Sequence, residues 1–379
     1  MKLIRKLLTI AGLSLALGTA AQAQDPIKVG AIFPLSGGAG PQGQHVTQAI
    51  KAMAAVINES GGVMGRQLDI IIRDDESTPA VGVSRATELV TSGVSVIIEG
   101  WNSPVTLALQ PVISRAGILD ITAVSKADPI LSGEGNPLAI RINSSNGQDG
   151  AVIANYIANI AKAKRVAFLT ENDAYGNGAQ ESIESELKKL NYSYEKVAEE
   201  KFPFAQADFR VALTNIHAAN PDVTVAINAN EGLGMPATIR QAKQSRLPGK
   251  LITAVGTVAP SVIAIAGKAA NGIVGADIYF PTIEPFASNP VNTHFVKKTQ
   301  EMFNYTPDKY MALGGMALQV WAMAANELKT LDREAIAKRI RGGSFQNTIM
   351  GNVKFAPNGQ LESHYYLFTV KDEKIVVQQ

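Results

Sequence analysis

Residues 94–126 read VSVIIEGWNSPVTLALQPVISRAGILDITAVSK. The apolar run Val94–Ile98 has the length and β-branched content of a buried strand, and it stops at Glu99–Gly100. Trp101-Asn102-Ser103 follow, just ahead of Pro104. A hydroxyl residue before a proline that opens a helix is expected as an N-cap, with the proline at the first helical position. A second strand, Gly117–Thr122, ends in Ala123-Val124-Ser125-Lys126. Two parallel strands joined by one helix bring both polar loops to the same edge of a sheet. In open α/β sheets ligands sit at that edge, and a free helix N-terminus there attracts an anion. The stretch therefore predicts a site for the carboxylate of a small molecule.

The same cadence extends on both sides. Ile27–Phe33 reads as a strand, His45–Glu59 as a helix with Ala49, Ala52, Met53, Val56 and Ile57 on one face, and Gln67–Arg73 as a second strand. Ser77 and Thr78 before Pro79 start another helix, through about Ser92. Alternating strands and helices with short connections predict a parallel, doubly wound sheet with right-handed crossovers. Residues 128–146 are rich in Gly, Ser, Pro and Asn. The pattern then restarts with a helix over 148–161, a strand over 165–170 and a helix over 175–190. It continues with strands at 193–198, 222–227, 250–254 and 272–278 and helices between them. Helices at 289–303, 308–329 and 332–341 and strands at 352–355 and 364–370 end the chain. Two α/β runs separated by a turn-rich interval predict two similar lobes.

The chain has 379 residues, enough for two cores. Lys2, Arg5 and Lys6 precede the apolar run Leu7–Leu17, and Ala21-Gln22-Ala23 forms an A-x-A cleavage signal. Residues 1–23 are therefore expected to be a signal peptide, removed on export. Loss of its three cations takes the formal charge from +2 to −1. A near-neutral surface without a basic stripe argues against nucleic acid and against a charged membrane face. There is no cysteine, so neither a disulfide nor a lipidated Cys is expected. The expectation is a monomer in a Gram-negative periplasm.

Gly38-Ala39-Gly40-Pro41-Gln42-Gly43 is a literal G-x-G-x-x-G and offers a dinucleotide reading, hence a secreted NAD-dependent enzyme. Pro34–Gly37 separate the glycines from the strand, Pro41 lies inside the motif, and Asp74/Asp75 come too late for the ribose acid. A Gly-rich loop lining a cleft is the preferred reading. Neither H-E-x-x-H nor G-x-S-x-G occurs, and His45, His217, His294 and His364 lack metal-ligand spacing. No cofactor and no catalytic set is expected. Trp101 is either a core aromatic or a pocket wall. Lys126 is either solvated or paired with an anion, and Asp173 is a helix cap. Tyr175 and the 228–231 loop lie at the matching edge of the second lobe. Tyr310 is packing unless it roofs the cleft.

IKVGAIFPLSG at 27–37, INESGGVMGRQLDIIIRDDESTP at 57–79 and NDAYGNG at 172–178 resemble one family. So do the 233–242 stretch ending IRQA and IAGKAANGIVG at 265–275. The family is the periplasmic solute-binding proteins of branched-chain amino-acid type, typified by the leucine/isoleucine/valine-binding protein. The resemblance implies a type I periplasmic binding protein: two Rossmann-like lobes with parallel sheets joined by three crossovers. Lobe I would comprise 24–144 with 276–351, and lobe II 145–275 with 352–379. It also implies closure on a small carboxylate-bearing ligand and delivery to the membrane permease of an ABC transporter. By resemblance Ser103 and Val124, Ser125 and Lys126 hold the carboxylate. Gln42 and Trp101 line the side-chain pocket, Tyr175 approaches from lobe II, and Tyr310 covers the ligand. The family's amino-acid binders place a threonine where Lys126 stands and an ammonium-binding glutamate near Val255-Gly256-Thr257, where this chain has no acid. Asn230 and Glu231 occupy the region of a second tyrosine. Unless Glu231 substitutes, a carboxylate lacking the amine is expected, because a buried ammonium needs a partner. A ligand-sensing receptor subunit is the alternative of another class.

Overall fold

The computed structural model describes residues 25–131 and 136–378, so the expected signal peptide lies outside the described residues. A first parallel sheet contains β1 (Ile27–Phe33), β2 (Leu68–Asp74), β3 (Val96–Glu99), β4 (Leu119–Thr122) and β5 (Ala139–Arg141), in the order β2-β1-β3-β4-β5. The helices α1 (Gly40–Glu59), α2 (Pro79–Thr91) and α3 (Ser103–Arg115) wind around it. Val29, Ala31, Phe33, Val96 and Ile98 pack on Ile50 and Met53 of α1. The alternate residues Ile32 and Ile97 pack on Leu89 of α2 and Leu109 of α3. Successive strand side chains point to opposite faces, so a sheet covered on both sides requires an unbroken apolar run. Each such side chain, fully buried, contributes roughly 1.5–3 kcal/mol.

The second lobe repeats this plan. The helices α4 (Asn146–Asn155), α5 (Ala174–Lys189), α6 (Arg210–Ala218), α7 (Gly234–Gln244) and α8 (Pro260–Ala266) alternate with strands β6 (Arg165–Glu171), β7 (Glu195–Phe202), β8 (Val223–Ile227), β9 (Lys250–Thr253) and β10 (Val274–Asp277). Val166 and Phe168 meet Ile153 of α4 and Ile183 of α5. Ala167 and Leu169 meet Leu213 of α6 and Ala237 of α7. The chain then returns to the first lobe. There α9 (Pro290–Phe303), α10 (Lys309–Leu328) and α11 (Arg333–Ile340) precede a hairpin of β11 (Ser344–Thr348) and β12 (Gly351–Lys354). It crosses a third time to add β13 (Tyr366–Lys371) and β14 (Lys374–Val377) to the second sheet, antiparallel to their neighbours. That sheet runs β14-β13-β10-β9-β8-β6-β7. Its strands β6 to β10 are parallel, as expected, and the late strands β13 and β14 join them antiparallel.

The divisions expected at 275/276 and 351/352 fall inside β10 and β12, and all of β10 belongs to the second sheet. Further differences from the sequence reading are local. β5, β11 and β14 are three to five residues long and carried no alternation long enough to read. The helix expected over 148–161 starts earlier, under a Ser145–Gln148 capping box, and ends in one wide turn at Tyr156–Ile160. Gly40–Gly43 is the first turn of α1, not the cleft-lining loop expected. A Cβ on Gly43 would collide with the carbonyl of Pro34, so this glycine allows α1 to seat on the end of β1.

The crossings lie side by side. Arg141 at the end of β5 donates to Gln360 Oε1 at 2.6 Å, and Gln360 Nε2 donates to Asn143 O at 2.7 Å. Arg141 also donates to Ala127 O at 2.8 Å. The side chain that joins two crossings thus also steadies the loop after β4.

Candidate functional site

Both sheets contain one reversal of strand order, between β1 and β3 in the first and between β6 and β8 in the second. In open α/β sheets the crevice outside the carboxyl ends of the strands at such a reversal is the binding position. A narrow cavity of about 30 Å³ lies there. The first lobe supplies Trp101, Asn102 and Ser103 after β3, Val124 and Lys126 after β4, and Tyr310 from α10. The second lobe supplies Glu171, Asp173 and Tyr175 after β6, Ala229 after β8 and Thr257 after β9. The space holds about two water molecules, so a larger solute enters only when the lobes part.

Ser103 is buried and is the first residue of α3, not its cap; Asn102 holds the cap position without a side-chain cap bond. Ser103 Oγ accepts from Lys126 N and Ala127 N, both at 3.2 Å. Accepting two bonds leaves the hydroxyl proton as a donor for a third group. Beneath this loop, Glu99 at the end of β3 accepts from Thr106 of α3 at 2.7 Å and from Thr122 of β4 at 2.6 Å. Burial pushes the Glu99 carboxyl up to about 7 against the lowering effect of those hydroxyls. The two strand ends and the helix are therefore tied at one buried carboxyl.

Lys126 is buried, not solvated, and two acceptors from the second lobe already face it. Its Nζ lies 2.6 Å from Asp149 Oδ2 on α4 and 2.8 Å from Val255 O, reaching from the first lobe into the second. Burial lowers its pKa to about 8 despite the attraction of Asp149. A second lysine closes the other side. Lys309 Nζ donates to Gly256 O at 3.1 Å and stands 3.6 Å from Asp277 Oδ1, while Tyr310 Oη donates to Gly256 O at 2.5 Å. Tyr310 also packs on Trp101, with ring centroids 4.7 Å apart. Both aromatics line the cavity, so neither Trp101 nor Tyr310 is confined to packing in the core.

Gly256 has φ +76°, and a Cβ there would run into Lys309 Nζ. Gly256→Ala is expected to lower stability by about 1 kcal/mol or more, from backbone strain and displacement of Lys309. Urea unfolding of the variant checks this; an unchanged midpoint would contradict the contact.

Of the candidates read from the sequence, Ser103, Trp101, Val124, Lys126, Tyr175, Thr257 and Tyr310 meet at the cavity. Four do not reach its wall. Ser125 Oγ turns to Thr106 Oγ1 at 2.8 Å. Gln42, with its amide oriented to suit its neighbours, accepts from Gly232 N at 2.7 Å at the edge between the lobes. Asn230 donates to Phe204 O and accepts from Leu233 N, both at 3.0 Å. Glu231 is buried beside Tyr310, and burial pushes its carboxyl up to about 8.

Two acids at the cavity went unread as binding groups. Glu171 ends β6, and Asp173 caps α5 by accepting from Gly176 N at 2.8 Å. The apolar run of β6 hid Glu171, and the capping role accounted for Asp173. Their position after the first strand of the second lobe was the available signal. Among the described residues no group of three or more His, Asp and Glu forms a metal-binding cluster, and no helix is long and apolar enough to cross a membrane.

Residues 26–374 match the family model described as periplasmic binding protein. A Leu/Ile/Val-binding protein homolog of Brucella suis is 25% identical over 333 residues, covering 88% of this chain and 87% of that protein. Leucine binding protein LivK from Thermotoga maritima superposes with a TM-score of 0.82 at 24% identity, covering 93% of this chain and 98% of its own. An ABC transporter solute binding protein from R. palustris in complex with benzoate gives 0.81 at 24% identity, covering 93% and 95%. These relatives are binding proteins, not enzymes.

Proposed function

The chain belongs to the periplasmic binding protein family, and we propose that it captures a small carboxylate-bearing solute in the periplasm for the membrane permease of an ABC importer. The observation that carries this reading is the single cavity shared by the strand-order reversals of both lobes. One wall combines the Ser103 hydroxyl with the start of α3, a 13-residue helix. The helix dipole favours an anion at such a terminus. Trp101 and Tyr310 offer an apolar face to the rest of the solute. Residues 1–23 direct export and are removed.

Capture requires no bond to be made or broken. A ligand that touches both lobes binds the closed form better than the open one, and that difference in affinity drives closure. The names of the structural relatives, one leucine binding and one with benzoate, set the two ends of a ligand panel. A thermal-shift screen of amino acids, 2-oxo acids, aromatic acids and dicarboxylates is expected to yield at least one carboxylate that raises the melting temperature. Ser103→Ala should weaken that ligand by about 1–3 kcal/mol in calorimetry, the range for a hydrogen bond to charge. Unchanged affinity would remove Ser103 from the site.

A further inference from the structure

A carboxylate oxygen at the cavity receives no donor from the surrounding protein. Glu171 is buried, its Oε2 accepts from Ala229 N at 2.8 Å, and its Oε1 has no hydrogen-bond partner. Asp173 stands within hydrogen-bonding reach of it, and both line the cavity. The nearby cations are already committed, Lys126 to Asp149 and Lys309 to Asp277. Around Glu171 and Tyr175 the remaining titratable groups are acids, Asp149, Asp173 and Glu231. A buried carboxyl and a part-buried one side by side, with no cation between them, disfavour double ionisation, so a proton held between them is the stable arrangement. Burial first, and the neighbouring Asp173 charge second, push the Glu171 carboxyl well above the usual range.

We propose that Glu171, with Asp173 beside it, is the subsite for a cationic nitrogen on the ligand, which replaces a proton held between the two carboxyls. This rests on the carboxylate-capture reading above and places the cation acceptor after β6, not in the 255–257 loop. At 255–257 the backbone carbonyls face Lys126 and Lys309, which makes the loop a poor receptor for a second cation. The exchange conserves charge in the cavity, with one ammonium entering as one proton leaves. Affinity for such a ligand therefore rises with pH, by up to about tenfold per pH unit, from the ordinary carboxylate range near 4 to the raised value of the pair.

The test is calorimetry on the mature chain with α-amino acids, each paired with the 2-oxo acid of the same side chain. Titrations run in buffers of differing ionisation enthalpy count the protons. The expected result is that an amino acid binds about 10- to 100-fold tighter than its oxo acid and releases up to one proton. Glu171→Gln should abolish both the preference and the release. Asp173→Asn, which keeps the helix cap, should reduce the release. If a variant fails to fold, the proton count on the unmodified chain still decides. Equal binding of both series, or amino-acid binding without proton release, overturns the Glu171 subsite and leaves carboxylate capture standing. Binding of neither series overturns the subsite, and carboxylate capture falls with it only if the aromatic acids and dicarboxylates of the thermal-shift panel fail to bind as well.

Discussion

Replacing Lys126 by methionine is expected to destabilise the closed form by about 3–5 kcal/mol. Lys126 is almost fully buried between the lobes, and among the described residues its ion-pair partner is Asp149. Removing the lysine leaves that carboxylate buried without a cation and the Val255 carbonyl without its donor. The structure can relieve the cost by parting the lobes, which lets water reach Asp149. Small-angle scattering should then show a larger radius of gyration, and ligand affinity should fall by about 100-fold or more, the equivalent of the lost closure energy. Adding Asp149→Asn should recover most of the loss. The amide keeps an acceptor for Tyr365 Oη, now 3.0 Å from Asp149 Oδ1, and removes the stranded charge. A compact, equally stable Lys126→Met protein would show that the ion pair does not hold the lobes together.

The second large effect is a pH dependence built into the first lobe. Asp75 and Glu99 are each pushed up to about 7 by burial, and Asp120 well above its ordinary value by burial and the nearby Glu99. Unfolded carboxyls ionise near about 4. Between there and about 7 the unfolded chain has shed these protons and the folded chain retains them. Stability therefore falls as pH rises through that window, by on the order of 3 kcal/mol for a carboxyl held near 7. Asp120 gives the cleanest test, because both its oxygens are buried without a hydrogen-bond partner. Asp120→Asn should stabilise the protein by about 1–3 kcal/mol at pH 8 and change little at pH 4. Melting temperatures of variant and parent across that range check it. A pH-independent difference would mean that Asp120 is already neutral throughout or already satisfied.

The architecture was legible because both sheets are covered on both faces. That burial forces long apolar runs such as Ile27–Phe33, and helix-opening prolines at 79 and 104 punctuate them. The antiparallel pair β13 and β14 was not legible as such, since strand direction is set by where the third crossing enters the sheet. At the cavity, Ser103, Trp101 and Tyr175 could be read because each follows a strand at the ligand-binding edge. The role of Lys126 could not, because Asp149 lies on a different lobe and Val255 is 129 residues away. Ser125 was misplaced for a related reason. The loop after β4 turns alternate residues in opposite directions, and its hydroxyl goes inward to Thr106. The glycines at 38–43 were read as a loop, yet from Gly40 onward they are helical, a state their spacing alone does not reveal.

A crystal structure of the mature chain with the carboxylate that most raises its melting temperature tests the central claim most directly. Electron density is predicted between the lobes, with a carboxylate oxygen about 2.7 Å from Ser103 Oγ and the rest of the solute against Trp101 and Tyr310. Density elsewhere, or a ligand whose carboxylate points away from the start of α3, would contradict it.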